Sequence, residues 1–136
     1  MTGSYVLDAN ALLDFVEAGS GMRKVEQLLH ASARRQVTVY VSVMNLGEVF
    51  YWLWRKRNEE QARQTLDDIS HLPIQIVPVD LPQALGAGKL KALHKIPYVD
   101  CIAAALALQH HATLVTADHD FEKLGRHFPV LWIARP

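Results

Sequence analysis

Short β-branched runs alternate along this chain with longer segments of helical apolar spacing, and that alternation restricts the fold more than any other feature. Parallel strands need a long crossover between them, so strand–helix–strand units imply a mostly parallel sheet covered by helices. Tyr5-Val6-Leu7 predicts a buried strand ending at Asp8, followed by a helix carrying Leu12, Leu13 and Val16. Gly19-Ser20-Gly21 breaks the chain, and Val25, Leu28 and Leu29 supply the stripe of a second helix closing near Arg34-Arg35. The β-branched run 37–41 predicts a strand that stops at Ser42. Ser42 is suited to cap a helix with Leu46, Val49, Phe50 and Leu53 on its apolar side.

Ala62, Leu66 and Ile69 mark a further helix ending before Pro73, and 74–79 reads as the third strand. Asp80, with Gln83 three residues on and Pro82 in the first turn, opens a helix that ends near Leu93. The segment 99–111 is apolar on nearly every face, which predicts a buried helix. A fourth strand over 113–116, a helical turn at 121–124 and a last strand over 130–133 complete the series. The expected architecture is a three-layer α/β/α sandwich with a mostly parallel sheet of about five strands. The 136 residues are expected to form one domain, a size that buries about two-thirds of the unfolded surface.

In such a sheet all strands point one way, so strand ends and the starts of the next helices gather along one edge, where open α/β sheets hold ligands. Four acids fall there. Asp8 ends the first strand, Asp118 lies just past the fourth, Glu48 sits in the second turn after strand two, and Asp100 opens the buried helix. Two carboxylates roughly 4 Å apart repel by about 4 kcal/mol at an effective dielectric of 20. A cluster of four therefore calls for a cation, and an all-oxygen site suits Mg²⁺ or Mn²⁺ rather than zinc. Metal-assisted phosphodiester hydrolysis follows from that arrangement. Asp120 is a candidate supporting acid. Asp14, Glu17, Asp67 and Asp68 read as helix surface, and Asp80 as a cap.

Basic and acidic residues balance at 14 each, so the whole chain does not advertise nucleic acid by its net charge. Two basic knots stand out, either of which can equally be a solvated helix face: Arg55-Lys56-Arg57, and Lys89, Lys91 and Lys95, which precede Asp100 and are candidates to hold substrate phosphates. Phe50 to Trp54 is a run of aromatic and leucine residues. Phe50 and Leu53 are expected in the core, Trp52 shares a face with Glu48 and is a candidate substrate contact, and an exposed Trp54 suits an interface with another protein surface. His119 reads as a surface-loop histidine and the single cysteine, Cys101, as a buried, inert thiol. That lone cysteine, the lack of a basic leader and the lack of a membrane-length apolar run (roughly 20 residues) predict a cytoplasmic protein without a membrane partner.

Four segments taken together, Val6-Leu7-Asp8-Ala9-Asn10-Ala11-Leu12-Leu13, Ser42-Val43-Met44-Asn45-Leu46-Gly47-Glu48-Val49, Tyr98-Val99-Asp100-Cys101-Ile102-Ala103-Ala104-Ala105-Leu106-Ala107 and Leu114-Val115-Thr116-Ala117-Asp118-His119-Asp120-Phe121, resemble the PIN domain, and specifically the VapC toxins of bacterial toxin–antitoxin pairs. The resemblance covers essentially the whole chain. It implies an endoribonuclease using Mg²⁺ or Mn²⁺, a homodimer, and silencing by a VapB-type antitoxin. Asp8, Glu48, Asp100 and Asp118 match the family's acidic quartet, with Asp8, Asp100 and Asp118 as metal ligands. Asn10 and Thr116 match the polar positions that support the first and last acids. Many relatives carry a hydroxyl residue where this chain has Ala9. Two other readings stay open: a catalytically silent RNA-binding or interaction module on the same fold, and a phosphoryl-transfer domain with Asp8 as nucleophile.

Overall fold

A computed structural model describes residues 3–134. The elements are β1 (Ser4–Leu7), α1 (Ala9–Val16), α2 (Met22–Ala33), β2 (Thr38–Ser42), α3 (Val43–Lys56), α4 (Glu59–Ser70), β3 (Gln75–Val77), α5 (Leu81–Leu93), α6 (Tyr98–Gln109), β4 (Thr113–Thr116), a 3₁₀ segment (His119–Leu124) and β5 (Val130–Trp132). The five strands form one sheet in the order β3-β2-β1-β4-β5. Every pairing is parallel, so the expected sheet is present and is parallel throughout.

From β1 the chain builds outward through β2 to β3, then returns to the other side of β1 to lay down β4 and β5. Right-handed crossovers running in opposite directions put their helices on opposite faces. The two cores show this. Leu7, Val39, Val41 and Val115 are buried against residues of α1 to α4, including Leu12, Leu28, Val49, Leu53 and Ile69. Val6 and Leu114 point the other way, into Ala87 of α5 and the wall of α6 from Cys101 to Ala107. Consecutive strand residues divide between two helical layers, which is why the strands read as continuous apolar runs rather than alternating ones. No helix among the described residues is long and apolar enough to cross a membrane.

Local details depart from the sequence reading where side chains bond across the fold. The strand expected over 74–79 is confined to Gln75–Val77. Asp80 caps α5 by accepting from the Gln83 amide N–H at 2.8 Å, but Gln83 does not return the bond. Its buried side chain reaches Ser42 instead, accepting from Ser42 Oγ at 3.1 Å and donating to the Pro78 carbonyl at 3.2 Å. Ser42 Oγ in turn accepts from the Met44 N–H at 3.3 Å, capping α3 as its sequence position suggested.

Asp14 and Glu17 are not idle surface either. Asp14 accepts from the Gly21 N–H at 2.9 Å, closing the α1–α2 turn. A Cβ on Gly21 would come within 2.6 Å of both Ile133 and Asp14, so any larger residue has to push those side chains aside. Glu17 takes both hydrogen bonds from Arg57 Nη2, at 3.0 and 2.8 Å, tying the end of α1 to the end of α3.

The Gln83 link is a stability prediction. Gln83→Leu keeps the volume but strands the Ser42 hydroxyl and the Pro78 carbonyl. Urea unfolding should show a loss of about 1–3 kcal/mol, the cost of buried groups left without partners.

Candidate active site

The direction of winding reverses between β1 and β4, and the crevice beyond their carboxyl ends is where side chains from distant segments can meet. Asp8 follows β1 and is 3% exposed. It is held on both sides: Oδ1 accepts from the Ala11 N–H at 2.8 Å, which makes Asp8 the N-cap of α1, and Oδ2 accepts from Thr116 Oγ1 at 2.5 Å. The same Thr116 oxygen accepts from the Asp118 N–H at 2.9 Å, so one buried hydroxyl joins the ends of β1 and β4. Asn10 adds a second tie across the crevice, with Oδ1 accepting from the Ala117 N–H at 3.0 Å.

α3 and α6 begin above the same edge from opposite layers of the sandwich. Glu48, in the second turn of α3, and Asp100, in the first turn of α6, are both half-buried. Asp8, Glu48, Asp100 and Asp118 all line one pocket of about 210 Å³, together with Ala9, Asn10, Leu13, Tyr51 and Trp52. Ala9 carries no hydroxyl into that wall. A larger cavity of about 600 Å³ lies elsewhere, between the 3₁₀ segment and β5, with Phe121, Arg126 and Trp132 among its walls. Volume alone would choose it, but the four acids meet in the smaller pocket.

Gathering the acids has an electrostatic consequence. Burial pushes the Asp8 carboxyl up to about 7, partly opposed by the Thr116 and Ala11 hydrogen bonds and reinforced by the charges of Asp100 and Asp118. Asp100 is likewise pushed up to about 7, first by burial and then by Asp118, Glu48 and Asp120. Glu48 is raised by burial and by Asp118, with the Asn45 amide acting in the opposite direction. Asn45 is fully buried one turn before Glu48, yet neither of its amide atoms reaches hydrogen-bond geometry with a partner. An orphaned amide beside a carboxylate costs on the order of 1–3 kcal/mol and invites a water or a shift of the Glu48 side chain.

The other sequence candidates sort by position. Thr116 and Asn10 support the acids as described. Asp120 contributes its backbone, donating to Asp118 Oδ1 at 2.9 Å, while its exposed carboxylate stands 4.0 Å from Lys123. Trp52 lines the pocket. Lys89, Lys91 and Lys95 do not line it. Lys91 Nζ is committed to the Ile96 carbonyl at 2.9 Å, and Lys89 and Lys95 are exposed. Trp54 is 44% exposed and packs edge-on against Phe50. Cys101 is buried and its thiol is pushed up by that burial. His119 is more than a surface-loop residue: its ring stacks on Trp132, and its nitrogens lie 2.9 Å from Glu122 Oε1 and 3.1 Å from the Ala134 carbonyl. Tyr51 and Asn45 escaped the sequence reading, although both lie three residues from Glu48, the spacing that stacks side chains on one helix face.

Among the described residues, no three His, Cys, Asp or Glu side chains are already gathered into a set that could hold a metal ion. The acids share a pocket without being closed around its centre.

No curated protein matches the chain. Solved structures do, at low identity. The chain is similar to VapBC2 from Rickettsia felis bound to a DNA fragment from its promoter, with TM-score 0.75 and 19% identity, covering 94% of this chain and 97% of that one. A toxin–antitoxin complex from Klebsiella pneumoniae matches with TM-score 0.68 and 21% identity over 97% and 99% of the two chains. VapC20 from Mycobacterium tuberculosis, a toxin that cleaves the sarcin-ricin loop, matches with TM-score 0.71 and 17% identity over 97% and 99%. At such identities the likeness speaks for the fold. The family model described as the PIN domain matches residues 5–127, a span that contains all four pocket acids, and on that match this chain belongs to the PIN domain family.

Proposed function

We propose that this chain is the toxin of a toxin–antitoxin pair: a metal-dependent endoribonuclease that hydrolyses RNA phosphodiester bonds in the pocket bounded by Asp8, Glu48, Asp100 and Asp118. The observation that carries this reading is the meeting of four carboxylates, each from a different part of the chain, at the switch point of a parallel sheet. The toxin role draws on the relatives described as VapBC2, as a toxin–antitoxin complex and as a sarcin-ricin-loop-cleaving toxin. It carries with it a VapB-type antitoxin as partner, a homodimer and the cytoplasm as location.

The donor chemistry fits Mg²⁺ or Mn²⁺. Every candidate ligand is a carboxylate oxygen, as hard divalent ions prefer, and two of the acids are costly to ionise while no cation is beside them. We assign Asp8, Asp100 and Asp118 as ligands and Glu48 as the group that orients the attacking water. When bound, the ion neutralises the acids and phosphate and lowers the pKa of a water. The protein supplies position. Asp8 is fixed by its bonds to Thr116 and Ala11, and Asp118 by its backbone bond to the same threonine. Glu48 lies on the wall shared with Tyr51 and Trp52, beside the unpaired Asn45 amide.

The phosphoryl-transfer alternative loses ground on geometry. The residue two places after Asp8 is Asn10, whose amide oxygen is already engaged, and no lysine lines the pocket. A silent module would carry the same acids without cutting, and an assay separates it from the nuclease.

Purified protein should cleave RNA with added Mg²⁺ or Mn²⁺ and stop with chelator. Asp100→Asn keeps the shape of the side chain and removes its charge, so cleavage should fall by on the order of a hundredfold or more. The same substitution should stabilise the metal-free fold at pH 8 by about 1 kcal/mol, allowing for the solvent screening of a half-buried group, or a few degrees in Tm. Full activity in that variant, or a lowered Tm, contradicts the assignment.

The raised carboxyls also set a pH dependence. The folded chain keeps the Asp8 and Asp100 protons up to about pH 7, whereas unfolded carboxyls lose theirs near their ordinary value of 3.8. Metal-free protein should therefore lose stability as pH rises from about 4 to about 7. Saturating Mn²⁺ should flatten that fall and release protons on binding, which calorimetry in buffers of different ionisation enthalpy can count. A flat pH profile without metal would contradict the charge account.

A further inference from the structure

Three consecutive cations close α3, and their surroundings separate them. Arg57 belongs to the fold, donating twice to Glu17. Arg55 and Lys56 lie over aromatic rings instead: Arg55 Cζ is 5.5 Å from the Tyr51 centroid and Lys56 Nζ is 4.5 Å from that of Trp52. Lys56 also stands 3.7 Å from Glu17, and its side chain is 54% exposed. Both rings are walls of the acid pocket. The pairs are spaced four residues apart, so each cation sits one turn beyond its ring on the same helix face.

Tyr51 has a second neighbour. It is 51% exposed and, with Glu48, also bounds an apolar groove of about 400 Å³ formed with Val43, Met44, Gly47 and Val99. A Cβ built on Gly47 would meet nothing within 4 Å, so the groove floor is open there. The groove and the acid pocket are thus continuous through Glu48 and Tyr51.

A polyanion entering a pocket of four carboxylates is repelled. The phosphates that flank the reacting one need cations nearby, and exposed aromatic faces beside cations suit unpaired bases. We propose that Tyr51, Trp52, Arg55 and Lys56 form a binding subsite for single-stranded RNA, in which an unpaired base stacks on Tyr51 in the groove over Gly47 and the flanking phosphates lie against Arg55 and Lys56. The proposal rests on the ribonuclease reading and adds where the strand is gripped and that it must be unpaired.

The test is fluorescence anisotropy with a labelled single-stranded oligoribonucleotide and its duplex, in Mn²⁺, using the full chain in the Asp100→Asn background so that the probe survives. Single strand should bind at least about tenfold more tightly than duplex, and Tyr51→Ala should weaken single-strand binding about tenfold. Arg55→Gln and Lys56→Gln should each lower the slope of log affinity against log salt by about 0.7, the value for one phosphate contact on a single strand. Arg57→Gln should lower Tm and leave that slope alone. Unchanged affinity and slope in the Tyr51, Arg55 and Lys56 variants, or equal binding of duplex, overturns the subsite. So does a change in molecular mass of those variants in solution with RNA affinity intact, which would make the face a contact between copies of the chain. Cleavage by the unsubstituted chain, run in parallel, separates the two readings. Cutting with indifferent variants refutes the subsite alone, and variant-sensitive binding without any cutting refutes the nuclease alone.

Discussion

A carboxylate sealed from water at the seam of the sheet holds the rest of the arrangement in place. Asp8 starts α1 as its cap, meets Thr116 across the seam, and through that hydroxyl fixes the backbone of Asp118. Two chain segments more than a hundred residues apart thus depend on one hydrogen-bonded threonine. The sheet makes this possible because β1 and β4 are hydrogen-bonded neighbours whose following segments diverge, one into the α1 layer and one toward β5. Side chains at the two strand ends therefore meet across the gap, Asp8 with Thr116 and Asn10 with the Ala117 N–H.

The same seam is electrostatically unfavourable by construction. Two of its acids prefer to stay protonated near neutral pH, and a third is raised in the same direction. A fold optimised for stability alone would place amides or alkyl groups there. The remaining structure offsets the cost with packing on both sheet faces and with ties that brace the edge, such as Gln83 to Ser42 and Arg57 to Glu17.

The fold was legible because strand and helix periods differ, and the wholly apolar segment from Cys101 to Ala107 could only be a covered helix. The four acids were legible for a related reason: each lies at a strand end or in the first turns of the following helix, and topology converts that position into proximity. What could not be read was anything depending on which way a long side chain turns. Gln83 looked like half of a capping box and instead bonds a serine some forty residues away in sequence. Glu17 and Asp14 looked like solvated helix face, yet each meets a partner that sequence spacing does not reveal. Lys91 preceded an acid closely enough to suggest substrate, and its ammonium is taken by a carbonyl.

His119 joins the acid-bearing turn to the end of the described chain, with its ring flat against Trp132 of β5 and Nε2 beside the Ala134 carbonyl. The backbone repeats the link, since the Ile133 N–H donates to the Thr116 carbonyl at 3.1 Å. During synthesis these partners emerge after Asp8, Glu48, Asp100 and Asp118 have all been made. A nascent chain therefore has only the Thr116 and Asn10 bonds to hold the turn of its fourth acid until β5 arrives to add the stacked ring and the second backbone link.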